Sequence, residues 1–174
     1  RNGVIKRWNR EAPTTMDSWP VIDLKDGDEV VFAAVAENDD RLVFVSSDSS
    51  LLTFDAKNVR PQGRTAGGMA GIKLAEGAHV MAFNVVPAGK VAWTYEEGAA
   101  KVTPLEMYPT KGRATGGVRS QRFLKGQNTL ILAWVGPYPL HASTSAGSPV
   151  ELPKPDMRRD GSGVDLASPI AFIA

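Results

Sequence analysis

Gly63-Arg64-Thr65-Ala66-Gly67-Gly68-Met69 and, 49 residues on, Gly112-Arg113-Ala114-Thr115-Gly116-Gly117-Val118 are two copies of one segment. A worn third copy is Arg159-Asp160-Gly161-Ser162-Gly163-Val164. Each copy leads into a short, partly apolar stretch: Ile72-Lys73-Leu74, Arg122-Phe123-Leu124 and Ala167-Ser168-Pro169-Ile170. A second marker keeps the same beat. Asp26-Gly27 precedes the apolar run 30–35, Glu76-Gly77 precedes 80–85, and Lys125-Gly126 precedes 129–135, with the glycines 50 and then 49 residues apart. Self-similarity at a fixed period of this length marks a repeat architecture, in which each unit buries its apolar face only against its neighbours.

Within a repeat the apolar residues fall in runs of four to seven, rich in Val, Ile, Phe and Trp and bounded by Gly, Asp, Asn or Pro. Residues 30–35, 42–45, 51–54 and the segment ending at Leu74 are four such runs in the first full copy. These are strand signals, and no window sustains a helical period. The 17 Gly and 12 Pro supply the turns that many short strands require. Four strands recurring every ~40–50 residues is the arithmetic of a propeller blade. The expected fold is therefore all-β: a partial β-propeller of about three four-stranded antiparallel blades in one domain, 1–174. The blades are expected at 25–74, 75–124 and, degenerate, 125–174, after the tail of a preceding blade at 1–24. The first residue is Arg1, in mid-pattern, so the chain reads as part of something longer, with an unpaired edge open to self-association through 1–24 or 167–174.

The net charge is only +1, but its distribution is uneven. Arg1, Lys6, Arg7 and Arg10 lie in a stretch without acids. So do Lys57, Arg60, Arg64 and Lys73, between Asp55 and Glu76, and Lys111, Arg113, Arg119, Arg122 and Lys125, between Glu106 and Glu151. The acids gather at 26–29, 37–40 and 96–97. Segregated blocks of opposite sign imply one positive and one negative face. The absence of Cys excludes disulfides, thiolate zinc sites and cysteine nucleophiles. No apolar run approaches the ~20 residues that span a bilayer, so no membrane partner is expected.

Other chemistry finds little support. His79 and His141 are far apart and lack carboxylates or a serine at triad or metal spacing. Asp26-x-Asp28 lacks the remainder of a calcium loop. Gly68-Met69-Ala70-Gly71 has the spacing of a KH-domain loop but strand-like surroundings, and no Gly-Lys-Ser/Thr follows to make a P-loop. Trp8, Trp19, Trp93 and Trp134 read as packing residues rather than base-stacking platforms.

The units "LLTFDAKNVRPQGRTAGGMAGIKL" and "YPTKGRATGGVRSQRFLKG", with the terminal "RRDGSGVDL", resemble the C-terminal domain of the bacterial type IIA topoisomerase A subunit, found in DNA gyrase and topoisomerase IV. The likeness is greatest to the actinobacterial topoisomerase IV type and covers essentially the whole chain. WD40 and kelch blades carry other signatures, absent here. The resemblance implies a β-pinwheel, in which neighbouring blades exchange a strand and DNA wraps a basic outer rim. The chain would be roughly the last half of such a domain. The gyrase-type Gln-Arg-Arg-Gly-Gly-Lys-Gly box does not occur, and the blade that carries it would lie upstream. The family's catalytic Tyr follows an Arg, whereas the three Tyr here follow Thr94, Met107 and Pro137. No DNA cleavage is expected of this chain, and no cofactor; ATP and Mg would be used elsewhere in the parent enzyme. The implied partners are double-stranded DNA, the ATPase B subunit and the remainder of the A subunit, in the bacterial cytoplasm at the nucleoid.

Phosphate binding needs guanidinium or ammonium groups and accessible backbone N–H donors on a surface with room for a duplex. The candidates are Lys6, Arg7, Arg10, Arg60, Arg64, Lys73, Lys111, Arg113, Arg119, Arg122, Lys125 and Arg159. Arg64 and Arg113 share one phase, with Gly67-Gly68 and Gly116-Gly117 keeping side chains clear. The competing reading is a propeller for protein–protein interaction whose Arg/Gly segments only connect blades. An enzyme with its site in the propeller channel would need a convergent carboxylate or histidine set, and none is visible.

Overall fold

The computed structural model describes residues 1–9, 11–86, 91–96, 99–136 and 141–173. Arg10, Glu97 and Tyr138, and the side chain of Trp93, lie outside the described residues. The elements are β1 (Val4–Ile5), β2 (Arg7–Trp8), β3 (Arg41–Ser46), β4 (Ser50–Asp55), β5 (Pro61–Gln62), β6 (Met69–Ala70), β7 (Val80–Val86), β8 (Val91–Glu96), β9 (Ala99–Pro104), β10 (Val118–Arg119), β11 (Leu132–Gly136), β12 (Ala142–Ser143), β13 (Pro149–Val150), β14 (Val164–Asp165) and β15 (Phe172–Ile173). Short 3-10 turns at Ala56–Asn58 and Leu105–Met107 follow β4 and β9. The all-β expectation is met.

The sheets run β10-β4-β3-β7, β11-β8-β9-β14 and β13-β12-β15, with the smaller pairs β1-β6 and β2-β5. All these pairings are antiparallel except β2-β5. The hairpin β3–β4 comes from the repeat at 25–74, while both strands that flank it, β7 and β10, come from the repeat at 75–124. The hairpin β8–β9 is flanked in the same way by β11 and β14 of the next repeat. Each four-stranded blade thus consists of one repeat's hairpin clasped by two strands of the following repeat. The sequence periods 25–74 and 75–124 remain, but no blade coincides with either.

Alternation places successive side chains of β3 on opposite faces. Leu42 and Phe44 pack with Leu52, Phe54, Val59, Ile72 and Val80, and partly with Ile5 and Met69. Val43 and Val45 join Leu51, Leu105, Tyr108, Leu130 and Val135, a core shared by the two four-stranded blades. Ala100 and Val102 continue into a third core with Ala142, Ile170 and the half-buried Trp134. Blade stacks on blade through these apolar layers.

One expectation needs correction. Residues 30–35 read as a strand but form no ladder, and Val30, Val31, Phe32 and Val35 are exposed. Their counterparts β7 and β11 each gain a hairpin partner from the repeat before them. Residues 30–35 have none among the described residues, and strand propensity without a partner does not make a ladder. The last blade, expected to be degenerate, has three strands among the described residues: β15 pairs Ile173 with Ala142, in the slot that β7 and β11 fill in the other blades.

Candidate nucleic-acid interface

The three Arg/Gly segments hold one structural position. Each delivers a two-residue strand, β6, β10 or β14, to the end of its sheet, where it pairs with Val4–Ile5, Ser50–Leu51 or Ala99–Ala100. Arg64, Arg113 and Arg159 each stand four residues before the last glycine of their segment, so all three occupy one phase. Gly68 and Gly117 have φ of +85° and +72°. A Cβ on Gly68 would lie 2.7 Å from the Ile5 carbonyl oxygen, and one on Gly117 2.3 Å from that of Leu51. These glycines are therefore demanded by close strand docking and a left-handed backbone. Gly116 is different: its nearest neighbour would be the Lys73 carbonyl oxygen at 3.6 Å. Only the first glycine of that pair leaves surface clear, which narrows the reading that both do so.

Consecutive segments also bond to each other. The Lys73 N–H donates to the Thr115 carbonyl at 3.0 Å, and the Arg122 N–H to the Gly161 carbonyl at 2.9 Å. The Ala114 N–H donates to the Gly71 carbonyl at 2.7 Å. Lys73 and Arg122 are equivalent, 49 residues apart, and both side chains are exposed. The sequence signals that equivalence only through the apolar stretch after each Gly-Gly, and its weight emerges once the bonding is seen.

The candidate cations fall into distinct environments. Arg60, Lys73, Lys111, Arg119, Arg122 and Lys125 are exposed, while Arg7, Arg64, Arg113 and Arg159 are half-buried. Arg113 Nη1 donates to the Ala70 carbonyl at 2.5 Å, and Arg64 Nη1 lies 3.8 Å from the Met16 sulfur. Lys6 serves a structural purpose. Its Nζ donates to the carbonyls of Arg64 and Ala66, both at 2.8 Å, and burial lowers its pKa while Asp23 pulls it back up. An ammonium clamping a turn in this way has little left to offer a phosphate.

Among the described residues the ion pairs join Arg1 to Asp28 and Glu29, Lys57 to Asp39 and Asp55, and Arg158 to Asp156. None of the described candidate cations takes part in one. Lys57 thus pairs with Asp55, at the edge of its acid-free stretch, and with the exposed Asp39 of the preceding turn. The basic rim also weakens along the chain, because Asp165 stands at the phase of Arg119, and Asp156 and Asp160 lie close enough to Lys101 to act on its charge.

Lys101 escapes any sequence signal. It lies in β9 opposite Thr94, is 2% exposed, and its Nζ donates to the Thr103 hydroxyl. Burial lowers its pKa to about 8, against the attraction of Asp156 and Asp160. It occupies the place that Leu52 holds in β4, as the pairings of β10 with β4 and β14 with β9 show. Arg41, outside the basic blocks, binds Thr53 Oγ1 at 3.2 Å and Thr110 Oγ1 at 3.0 Å, tying β3 to the following repeat. Among the described residues no cluster of three or more His, Asp or Glu could hold a metal ion, and no helix is long and apolar enough to cross a membrane. The His79 backbone is engaged by Ser47 in both directions, through the Ser47 N–H and hydroxyl, as befits a strand-start residue.

Comparison with known proteins places this geometry. The model of the DNA gyrase C-terminal domain, beta-propeller, matches residues 20–37, 40–87 and 96–131, more than half of the chain. The DNA gyrase A subunit of Mycobacterium bovis is 29% identical over 92% of this chain and 20% of its own length. That of Aeromonas salmonicida is 37% identical over 68% of the chain and 13% of its own length. The chain thus spans about a fifth or less of these relatives. A crystal structure of the C-terminal domain of DNA topoisomerase IV shares the fold at a TM-score of 0.81 and 21% identity, covering all of this chain and 59% of that one. A DNA gyrase A C-terminal domain does so at 0.66 and 19%, over 88% of this chain and 56% of that one. Strand-exchanged blades, Arg/Gly segments docked at the sheet ends and the family match together make this chain a member of the DNA gyrase C-terminal domain family of β-propellers, the C-terminal part of a type IIA topoisomerase A subunit.

Proposed function

We propose that this domain binds double-stranded DNA without sequence preference along the sheet-end rim formed by 60–73 and 111–125, and that it bends the duplex to present it to a cleavage core elsewhere in the topoisomerase. The observation that carries this reading is the recurrence at equal phase on successive blades of exposed cations that enter no ion pair among the described residues, Lys73 with Arg122, flanked by the half-buried Arg64 and Arg113. A duplex following a curved rim meets equivalent groups in turn, and contacts to phosphates alone carry no sequence information. The domain works without a cofactor and without cutting DNA, alongside the ATPase B subunit and the rest of the A subunit, at the nucleoid of a bacterial cytoplasm.

The protein-interaction reading is favoured by one observation: Lys6 and Arg113 spend hydrogen bonds on backbone carbonyls of adjacent segments, as connectors would. Titrating salt against binding to duplex DNA separates the two. Each phosphate neutralised contributes about −0.9 to the slope of log K against log salt, so several contacts give a steep loss of affinity with rising salt. Salt-insensitive binding, or none at low salt, would reject the DNA reading.

A further inference from the structure

Three residues give the same backbone N–H to an Arg/Gly segment. Asp23 donates to the Ala66 carbonyl at 3.3 Å, as Lys73 does to Thr115 at 3.0 Å and Arg122 to Gly161 at 2.9 Å. Each acceptor stands two residues before the last glycine of its segment. The carbonyls of the first two agree as well. A Cβ on Gly67 would lie 3.1 Å from the Asp23 oxygen, and one on Gly116 3.6 Å from that of Lys73. Asp23, Lys73 and Arg122 thus hold one position along the rim, and all three are exposed. The first has the opposite charge. Asp23 enters no ion pair among the described residues, although it lies near enough to Lys6 to act on its charge.

The far end of the rim reverses in the same way. Asp165 pairs with Ala99 in β14 as Arg119 pairs with Ser50 in β10, so an exposed carboxylate replaces an exposed guanidinium. The two arginines of this third segment are committed to other groups. Arg158 is paired with Asp156 at 3.2 Å, and Arg159 is half-buried, within electrostatic reach of Lys101 and Tyr108.

Given the duplex binding proposed above, on which this step rests, we infer that Asp23 and Asp165 end the DNA track on this chain. They confine close contact to the arc that carries Lys73, Arg113, Arg119 and Arg122, and they turn the duplex off the rim on either side of it. Double-stranded DNA carries one negative charge for about every 1.7 Å of its axis. A carboxylate at a phosphate-contact position therefore meets phosphate whichever base pairs are in register. The repulsion reaches about one Debye length, ~8 Å at physiological ionic strength, so each acid acts locally rather than on the whole rim. The two acids thus set how much duplex the rim holds, while the cations between them set how tightly.

The test sets the 174-residue chain against blunt DNA duplexes of increasing length, read by fluorescence anisotropy across a salt series. Asp165→Arg matches the residue at Arg119, and Asp23→Lys the residue at Lys73. Each should steepen the salt slope by about one unit and move to longer duplexes the length at which affinity stops rising. Asp23→Asn, gentler on the neighbouring Lys6, should tighten binding at fixed salt without adding a full unit of slope. Asp39→Lys makes the same change of charge at a 94% exposed side chain outside the Arg/Gly segments, and should alter neither slope nor length limit. If Asp165→Arg and Asp23→Lys behave no differently from Asp39→Lys, the inference is overturned and the DNA reading stands. A parent chain that binds no duplex even at low salt would overturn both.

Discussion

Lys73 and Arg122 sit at the same point of successive blades, each giving its backbone N–H to the next Arg/Gly segment, at Thr115 and Gly161 respectively, while its side chain is exposed. The main chain of each residue is fixed by the blade-to-blade contact and the charge is left to solvent. A rigid backbone under a free cation suits repeated phosphate contact, because little ordering is required of the partner surface on binding.

Replacing Lys73 or Arg122 by Ala should therefore lower the salt slope of duplex binding by about one unit per residue, uniformly across DNA sequences. Arg64→Ala and Arg113→Ala should act in the same direction. Folding stability should move by less than about 0.5 kcal/mol for the two exposed residues. Asp39→Asn, on an acid with a 94% exposed side chain, is the control and should not weaken binding. Fluorescence anisotropy across a salt series measures all of these.

Lys6→Met should separate structure from binding. Two charge-assisted bonds to the turn carbonyls of Arg64 and Ala66 disappear, at a cost of about 1–3 kcal/mol in denaturant unfolding. The salt slope per molecule of folded protein should stay unchanged. A slope reduced by a full unit would place Lys6 back among the phosphate contacts.

Gly117→Ala and Gly116→Ala should differ although the residues are adjacent. Gly117 combines a φ of +72° with a prospective Cβ 2.3 Å from the Leu51 oxygen, so Ala there should cost more than about 1 kcal/mol and detach β10. Gly116, with 3.6 Å to its nearest neighbour, should tolerate Ala. Thermal melts of the two variants decide the matter.

Lys101 should make stability rise with pH. Its folded pKa is lowered from 10.5 to about 8, so below that pH it is charged in both states and the folded state bears the burial cost in full. As pH climbs from about 8, the unfolded chain keeps a proton that the folded chain has released, and stability grows by up to about 3 kcal/mol in all. Tyr108 limits the window. Burial pushes its pKa up from 10.0, so above that pH the unfolded phenol ionises first and stability falls again. Melting temperature should rise between pH 8 and 10 in the parent, whereas Lys101→Leu, matching Leu52, should be more stable at neutral pH and lose the rise.

Strand content, repeat period and the common phase of Arg64 and Arg113 were legible in the order of residues, because alternation, turn glycines and spacing are local properties of a chain. The segregation of cations was legible for the same reason. The choice of partner was not. That β7 and β10 clasp the hairpin of the preceding repeat, and that 30–35 finds no ladder, depends on hydrogen bonds between strands remote in sequence, which an apolar run does not encode. Nor could the chain order show Lys6 held by the turn at 64–66, or Lys101 buried where its counterpart is Leu52. Charge and burial at these positions follow from what the fold brings within a few ångströms, and that proximity exists only once the blades have stacked.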